Sequence, residues 1–397
     1  RRNQEGNQQI NEQHCAGIVK EALNKSVKRR IESSDLPVGC FLSGGIDSGI
    51  VTALASKYAS KLHTFTFSFD GMWDETDAAA LVAKRYETIH TSIRLHYDTL
   101  EKDIGKILLS YGEPFADESA IPSYYIAREA KQFVTVVLNG DGGDEVFGGY
   151  RRYVPACWPG YMRKGLELMS KLLPVLPSPG SKMGYYNYGY RLLRMQQPDI
   201  VKKYLASTTD LLWDFGISSK DVSDYSWLNR IAELKGLTFL QRSRLADYGG
   251  LLPEVLLPKI DIATMQHSLE SRTVFFAPEV LNASAAIPDS CLISGSTTKK
   301  VLRQVARELL PESIATAPKR GFEPPIEHIV DVELAPLIEE HLLSGAYELN
   351  EILGPEVLRK IFQRQLKMSS DRRARILYTA FTLSYWLRHR PVCEIFE

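Results

Sequence analysis

Six residues, Ser43-Gly44-Gly45-Ile46-Asp47-Ser48, combine two adjacent glycines with hydroxyl and carboxylate side chains. They follow the short apolar run Val38-Gly39-Cys40-Phe41-Leu42, which predicts a β-strand, and they precede a segment with helical spacing. Glycines let backbone N–H groups converge on one point, and the amino terminus of a helix adds further N–H donors. The segment therefore predicts a loop that binds a pyrophosphate-like group, with Ser43 and Ser48 as additional donors.

Asp47 is unusual in such a loop, because a carboxylate should repel phosphate. Its presence is explained if it holds a Mg²⁺ ion that bridges to the phosphates. The alternative is an ordinary strand-to-helix turn in which Asp47 caps the helix. The loop does not fit the Gly-x-x-x-x-Gly-Lys-Ser/Thr pattern of P-loop NTPases, and no Gly-x-Gly-x-x-Gly follows this strand. Since the whole hexapeptide is more specific than two glycines, we favour the phosphate-binding interpretation.

A second loop, residues 139–150, is dense in glycine and carboxylate side chains and follows the apolar run 133–138. It is either a flexible acidic turn or part of a metal site. A calcium loop is a poor fit, because the alternating acids and distal glutamate of that motif are absent. If the two preceding strands are adjacent and parallel, Asp47 and Asp144 lie at the same edge of the sheet. Two carboxylates there predict a shared Mg²⁺ site over a triphosphate.

Strand and helix patterns alternate along the amino-terminal part of the chain. Strands are predicted at 38–42, 62–69, 90–95 and 133–138, and helices at 16–32, 75–86, 97–110 and 122–132. This alternation predicts an α/β fold, with a parallel sheet flanked by helices and buried on both faces. Both loops then lie at the carboxyl-terminal edge of the sheet, where open α/β folds bind ligands.

The chain divides into four predicted parts. They are a linker or disordered leader at 1–15, a nucleotide-binding α/β core at 16–155, an irregular and helical insert at 156–250, and a helical carboxyl-terminal part at 251–397 that completes the site. Within the insert, residues 174–190 contain proline, glycine and tyrosine without clear periodicity, which predicts irregular structure. Two further helices are predicted at 298–310 and 356–388.

The composition is that of an ordinary globular protein. Of 397 residues, 44% are apolar and 24% are charged, and 48 basic residues balance 48 acidic ones. The zero net charge gives no electrostatic argument for nucleic acid or an anionic membrane as the main partner, so neither is expected. Five widely spaced cysteines favour neither a zinc site nor a disulfide framework, which makes a reducing cytoplasm the expected compartment.

The first loop resembles the pyrophosphate loop of the ATP pyrophosphatases, which cleave ATP between its α- and β-phosphates. Together with the second loop, it resembles the synthetase domain of the asparagine synthetase family. Further segments resemble family signatures in the same order along the chain. They are Tyr111-Gly112-Glu113-Pro114-Phe115, Ala120-Ile121-Pro122-Ser123-Tyr124, Lys259-Ile260-Asp261 with His267-Ser268-Leu269-Glu270-Ser271-Arg272, Lys300-Val301-Leu302-Arg303 and Pro318-Lys319-Arg320-Gly321-Phe322. The resemblance covers most of the chain, and it places 259–272 in a helix near the substrate cleft.

The resemblance implies an adenine nucleotide alpha hydrolase-like fold and a carbon–nitrogen ligase that uses ATP and Mg²⁺. Such an enzyme adenylates a carboxylate, releases pyrophosphate and transfers ammonia to the activated carbonyl, with aspartate as the first expected substrate. One alternative is a family amidotransferase for a sugar acid or another carboxylate in polysaccharide or natural-product biosynthesis. A second alternative is a tRNA-modifying ATP pyrophosphatase, against which the neutral charge and scattered cysteines argue.

The same resemblance assigns roles to individual residues. Lys319 is expected to stabilise charge on the adenylate, and Glu113 is expected to manage the amine proton in the second step. The alternatives are a solvated surface lysine and a loop carboxylate. Asp47 and Asp144 are the expected Mg²⁺ ligands. The expected ATP-binding residues are Leu42, Ser43, Gly44, Gly45, Asp47, Ser48, Phe67, Gly112 and Lys300.

Glutamine-dependent members of the family carry an amino-terminal glutaminase domain whose first residue is a cysteine. This sequence begins at Arg1 and reaches the pyrophosphate loop at Ser43, which leaves no room for such a domain within it. Ammonia is therefore expected either free or from glutamine, through a glutaminase domain or subunit outside this chain. A homodimer is a further expectation from the family.

Overall fold

The computed structural model describes residues 12–68, 75–95, 97, 99–177, 184–197, 200–208, 226–318, 324–343, 355–366 and 368–390. Its described strands are β1 (Val38–Phe41), β2 (His63–Ser68), β3 (Ile89–Arg94), β4 (Val136–Asn139) and β5 (Glu270–Thr273). They form one sheet in the order β3-β2-β1-β4-β5, and every pair of neighbours is parallel. The predicted α/β fold with a parallel sheet is confirmed.

Helices connect the strands and make up most of the remaining described chain. The first nine are α1 (Glu12–Glu32), α2 (Ile46–Ala55), α3 (Thr76–Arg85), α4 (Leu100–Leu109), α5 (Ala120–Ala130), α6 (Gly143–Phe147), α7 (Gly160–Ser170), α8 (Tyr185–Arg194) and α9 (Ile200–Thr208). Those that follow are Ser226–Glu233, Phe239–Gly249, Leu257–Met265, Pro278–Ala286, Asp289–Leu292, Lys300–Leu309, Glu312–Ala315, Ile326–His328, Ala335–Leu343, Pro355–Phe362 and Ser370–His389. Short 3₁₀ segments lie at Arg151–Cys157 and Leu173–Val175, and π-helical turns at Leu252–Leu256 and Ile329–Glu333.

Apolar side chains cover both faces of the sheet. All of β4 is buried, and its residues alternate between two layers, with Val136 and Leu138 in one and Val137 in the other. The first layer includes α1, α2 and the helix Lys300–Leu309, and the second includes α4, α5 and the helix Ser370–His389. Burial on both faces is what a parallel sheet with crossover helices requires, and it makes the sheet edge a rigid platform.

The two glycine-rich loops leave neighbouring strands at the same edge of the sheet. β1 pairs with β4 in parallel, with Cys40 opposite Leu138. β2 and β3 extend the sheet on one side of β1, whereas β4 and β5 extend it on the other, so the strand order reverses between β1 and β4. A crevice at such a reversal is the usual ligand-binding place of open α/β sheets.

The helix expected over residues 259–272 is only partly present, so that prediction was wrong for its second half. The helix Leu257–Met265 ends, Ser268 takes a left-handed φ of 55°, and β5 follows. The strand was missed because Glu270, Ser271 and Arg272 are polar. β5 lies at the sheet edge and pairs with β4 alone in the described sheet, so an apolar alternation is not required.

Two other expectations also differ from the structure. Part of the segment 174–190, expected to be irregular, begins the helix α8, which packs between α7 and α9. Its tyrosine, asparagine and glycine are poor helix formers, so tertiary packing overrides local preference there. The single helix expected at 356–388 is two helices, Pro355–Phe362 and Ser370–His389, with Arg364 at a φ of 59° between them.

No helix among the described residues combines the length and the apolar character needed to cross a membrane.

Candidate active site

The first loop leaves β1 and opens α2 at the reversal in strand order. Gly44 has a φ of 66°, and a Cβ there would lie 2.8 Å from the Cβ of Ala78 on α3, so the turn requires glycine. The N–H of Ser43 donates to Ser48 Oγ at 3.1 Å, and the two hydroxyl oxygens are also 3.1 Å apart. Gly45 is the N-cap of α2, and no described side chain caps it. The first turn of α2 therefore keeps backbone N–H groups for a ligand anion.

The second loop lies directly against the first. A Cβ at Gly140 would lie 2.8 Å from the backbone nitrogen of Ser48. At Gly143, the first residue of α6, a Cβ would lie 2.6 Å from Oδ1 of Asp47. Both distances are shorter than real Cβ contacts, so the two loops approach this closely only because both positions are glycine.

A buried lysine joins the two loops. The Nζ of Lys299 lies 2.8 Å from Oδ1 of Asp144 and also pairs with Oδ2 of Asp47. The Lys299 side chain is 4% exposed, and those of Asp47 and Asp144 are 20% and 15% exposed. We call Asp47, Asp144 and Lys299 the carboxylate–lysine cluster. Lys299 directly precedes the helix Lys300–Leu309 and is far from both loops in sequence. It is therefore the tertiary structure that brings this cation to the sheet edge.

Lys299 is a permanent cation in an uncommon backbone conformation. Burial alone lowers its pKa, but the carboxylates of Asp144 and Asp47 outweigh burial and raise the pKa above the ordinary lysine value. Its φ of 52° lies in the left-handed region, which costs free energy for a residue with a Cβ. Gly149 lies against both Asp144 and Lys299, where a side chain would collide with them. Strain and close packing of this kind are typical of functional sites.

More charged side chains surround the cluster. The Nζ of Lys259 lies 3.6 Å from Oδ2 of Asp117. Burial raises the pKa of Asp141; Lys259 opposes that rise, whereas Asp47 and other nearby carboxylates add to it. Negative charge thus gathers at the sheet edge around a few cations, which is an environment that favours a bound cation or a cation-bearing ligand.

Lys300, expected to reach a phosphate, lies beside α1 in the structure, and its role in binding ATP stays a prediction. Its Nζ pairs with Oε1 of Glu12 on α1, at a partly exposed position. The neighbouring residue Lys299 contacts Asp47 and Asp144 instead, because consecutive residues at a helix start project in different directions. The family-like segment Lys300-Val301-Leu302-Arg303 begins one residue after Lys299, so sequence analysis singled out Lys300 and missed Lys299. Lys319 lies outside the described residues, so its role stays a prediction.

Glu113 lies in an exposed bend after α4, directly following Gly112, whose φ is 72°. Tyr111 packs its ring on Phe115 at 4.2 Å between centroids. The hydroxyl of Tyr111 also donates to the carbonyl oxygen of Lys259 at 3.1 Å. The bend therefore lies beside the segment that contributes Lys259, but none of the described contacts joins Glu113 itself to the carboxylate–lysine cluster.

Of two expected ATP-binding residues, Leu42 directly follows β1 and Phe67 is the penultimate residue of the neighbouring strand β2. Leu42 is buried, and its N–H donates to the carbonyl oxygen of Phe65 at 2.8 Å. Phe67 is partly buried against the apolar layer that contains α4 and α5. Their roles in binding ATP stay predictions, as do those of Ser43, Ser48 and Gly112.

Comparison with known proteins identifies the family. A family model described as Asparagine synthase matches residues 18–388. This chain belongs to the asparagine synthase family. Its relatives include asparagine synthetase [glutamine-hydrolyzing] 1 of Bacillus subtilis, which is 30% identical over 334 residues, covering 82% of this chain and 52% of the relative. A putative asparagine synthetase [glutamine-hydrolyzing] of Mycobacterium tuberculosis is 28% identical, covering 98% of this chain and 60% of the relative.

This member of the asparagine synthase family therefore spans between 52% and 60% of the length of these two relatives. A putative asparagine synthetase [glutamine-hydrolyzing] 2 of Methanocaldococcus jannaschii is 42% identical over 161 residues, covering 39% of this chain and 31% of the relative. Among solved structures, the U34-tRNA thiolase NcsA of Methanococcus maripaludis with its [4Fe-4S] cluster matches with 16% identity and a TM-score of 0.26, covering 78% of this chain and 92% of that chain.

Glu145, which adjoins Asp144, is buried, and its pKa is raised. The residue is 1% exposed, and its carboxylate accepts a hydrogen bond from the hydroxyl of Tyr150. Burial raises the pKa of Glu145 to about 7, with Asp144 adding to the rise and Tyr150 opposing it. Since the ordinary glutamate pKa of 4.5 applies to the unfolded chain, the folded state binds this proton more tightly. The contribution of Glu145 to stability therefore falls as pH rises from about 4.5 to about 7.

Glu145→Gln is expected to flatten the pH dependence of stability. The amide keeps an oxygen for the Tyr150 hydroxyl but does not ionise. Between pH 5 and 7 the free energy of unfolding should therefore fall less steeply with pH in the variant than in the unmodified chain, by up to about 1.4 kcal/mol per pH unit. Urea unfolding at several pH values measures the slope. The control is Glu32→Gln on the exposed end of α1, which should leave the slope unchanged. An identical slope in Glu145→Gln and the unmodified chain would contradict the raised pKa.

Proposed function

We propose that this chain is the ATP-dependent, amide-forming part of an asparagine synthetase-type enzyme, which adenylates a carboxylate and transfers ammonia to it. The observation that carries the proposal is the meeting of two glycine-rich loops and Lys299 between β1 and β4. Backbone donors, hydroxyl groups, two carboxylates and a buried cation surround one crevice there. Membership of the asparagine synthase family supports the same class of reaction.

In the first step, an oxygen of the substrate carboxylate attacks the α-phosphorus of ATP. The bond from that phosphorus to the bridging oxygen breaks, and negative charge develops on the departing pyrophosphate. The N–H groups of the first turn of α2 and the hydroxyls of Ser43 and Ser48 bind this pyrophosphate. Lys299 supplies fixed positive charge beside it and requires no reorganisation during the reaction.

A Mg²⁺ ion fits the carboxylate–lysine cluster, because Asp47 and Asp144 already share one cation there. Hard carboxylate oxygens are the ligands that Mg²⁺ prefers. Among the described residues, no group of three or more His, Cys, Asp or Glu side chains gathers to hold a metal. Asp47 and Asp144 would hold such an ion, and it would neutralise negative charge on the triphosphate.

Aspartate is the carboxylate we propose first, because the similar curated relatives are named asparagine synthetases. The decisive assay incubates the chain with Mg²⁺, ATP, ammonium and aspartate, and quantifies AMP, pyrophosphate and asparagine. Equal amounts of all three products support an aspartate-amidating synthetase. AMP formed with a sugar acid or a peptide carboxylate, but not with aspartate, keeps the chemistry and rejects the substrate. No AMP with any of these carboxylates rejects the proposal for this chain.

Asp47→Asn and Lys319→Ala are each expected to abolish adenylate formation. Asp47→Asn removes one of two carboxylates that hold the cation, and Lys319→Ala removes the charge assigned to the adenylate. Loss of this kind of electrostatic stabilisation costs roughly 100- to 1,000-fold in rate. Aspartate-dependent exchange of labelled pyrophosphate into ATP measures the first step alone. The exposed Asp35→Asn serves as a control, and normal exchange in either test variant would refute that residue's assignment.

Glu113→Gln is expected to impair amide formation more than adenylate formation. Ammonia attacks the activated carbonyl in the second step, AMP leaves, and the attacking nitrogen must lose a proton. An exposed carboxylate next to the Lys259 segment is our candidate acceptor, with an effect of roughly tenfold or more on the second step alone. Pyrophosphate exchange and asparagine formation are compared in the same variant. Equal losses in both measurements would reject this role, and Glu101→Gln on α4 is the matched control.

A further inference from the structure

A group of large apolar side chains lies exposed on α7, the 3₁₀ turn Leu173–Val175 and the start of α8. Among the described residues, eight such side chains fall within this stretch: Tyr161, Met162, Leu168, Met169, Leu172, Val175, Tyr185 and Tyr186. The exposed fraction reaches 75% for Tyr161, 66% for Leu168 and 78% for Val175. No residue of α7 is buried, although α7 contacts α8. Single exposed apolar residues are ordinary, but a contiguous group marks an interaction surface.

The apolar side chains of α7 share one side of the helix. Tyr161 and Leu168 are seven residues apart, as are Met162 and Met169, and this spacing returns to the same face every two turns. Arg163 and Lys164 lie outside that arc, and Lys171 follows the helix. All three basic side chains are exposed. The helix is therefore amphipathic, but its apolar face points to solvent rather than to the protein core.

The neutral net charge of the chain conceals a strongly basic region around this face. Residues 151–197 contain eight lysines and arginines and a single acidic residue, Glu167, whereas the whole chain has 48 of each sign. Arg152 is paired with Asp247 inside the protein, but Arg163, Lys164 and Lys171 are exposed beside the apolar face. The surface that would bind this face must therefore offer apolar groups and negative charge together.

We propose that the apolar face of α7 and the adjoining Leu173–Val175 turn dock onto the surface of an anionic lipid bilayer. An amphipathic helix with aromatic and aliphatic residues on one face and lysine and arginine beside it lies in the headgroup region of such a surface. Tyr161 and Tyr185 have the ring-and-hydroxyl character favoured at that depth. Each exposed basic side chain adds attraction to acidic headgroups. This inference goes beyond the proposed reaction and does not depend on it.

The experiment is co-sedimentation of the full chain with lipid vesicles. One set contains phosphatidylcholine mixed with phosphatidylglycerol, and the other contains phosphatidylcholine alone. We expect at least roughly tenfold tighter binding to the anionic set, and weaker binding at high salt because mobile ions screen the headgroup charge. Two variants test the surface: Leu168→Ser with Leu172→Ser removes apolar contacts, and Lys164→Glu with Lys171→Glu reverses charge. Each is expected to lose most of the binding.

Matched controls carry the same changes on other surfaces. Leu36→Ser replaces an exposed leucine before β1, and Lys25→Glu with Lys28→Glu reverses two exposed charges on α1. Both should bind vesicles as the unmodified chain does, and circular dichroism verifies that all variants are folded. Absence of binding to anionic vesicles would overturn the proposal, as would binding that the two test variants leave unchanged. A third outcome would also overturn the proposal: the unmodified chain binds no vesicles but self-associates, and Leu168→Ser with Leu172→Ser abolishes the self-association. The partner of this face would then be a second copy of the chain.

Discussion

Lys299→Met is expected to reduce aspartate-dependent pyrophosphate exchange at least roughly a hundredfold, which is the usual cost of removing one fixed charge from a transition state. Methionine matches the length and apolar stem of lysine but leaves Asp47 and Asp144 without the cation that joins them. The two carboxylates then repel each other and the incoming triphosphate. Lys299→Arg should recover little activity, because Gly149 already packs closely against the side chains of Lys299 and Asp144 and we expect the larger, planar guanidinium to disturb this packing.

The adjacent residue provides the control for this prediction. Lys300→Met also removes one positive charge, but from the next residue, whose ammonium pairs with Glu12 at the protein surface. It should change the exchange rate by less than roughly twofold, since exposed pairs contribute little. Loss of exchange in Lys300→Met together with normal exchange in Lys299→Met would restore the original assignment to Lys300 and reject ours.

Asp247→Ala is expected to lower the free energy of unfolding by about 3–5 kcal/mol. The carboxylate is fully buried and accepts two hydrogen bonds of 2.8 Å from Arg152, one of 2.6 Å from Tyr204 and another from Tyr153. Its removal leaves the guanidinium of Arg152 inside the protein without a counter-charge. Burial raises the pKa of Asp247 to about 6, although Arg152 opposes the rise, so the pair is fully ionised at pH 8.

Urea unfolding at pH 8 measures this loss. Asp35→Ala, at an exposed position before β1, is the control and should change the free energy of unfolding by less than about 0.5 kcal/mol. Arg152→Met combined with Asp247→Ala should lose less than Asp247→Ala alone, because no unpaired charge remains. A loss below about 1 kcal/mol in Asp247→Ala would show that the buried network contributes little.

The parts of the fold that depend on local sequence were predictable. β1 and β4 are short apolar runs that end in glycine-rich loops. A parallel strand that is buried on both faces typically has such a continuous apolar sequence, so both strands could be recognised. The meeting of Asp47 and Asp144 followed from one assumption, that their strands are neighbours, and β1 does pair with β4. The edge strand β5 could not be predicted from periodicity, because its residues are polar and show no apolar alternation. It hydrogen-bonds to β4 on one side only.

Lys299 shows what sequence reasoning alone could not provide. Its side chain contacts two loops that are distant in sequence, and its backbone is left-handed at the start of a helix. Neither property has a local pattern, and the resemblance to family signatures singled out Lys300 instead. The amphipathic character of α7 is visible in the sequence, but only the structure shows that its apolar face is exposed.

Lys299 lies far along the chain from Asp47 and Asp144, so the parts of the site are synthesised at different times. A ribosome adding roughly 5–20 residues per second completes Asp144 about 8 to 30 seconds before it reaches Lys299. During that interval the nascent chain carries both glycine-rich loops and two opposed carboxylates, but neither the bridging cation nor, at first, the edge strand β5. We therefore expect the crevice to close only after synthesis has passed the helix Lys300–Leu309, so that an arrested shorter chain binds no nucleotide.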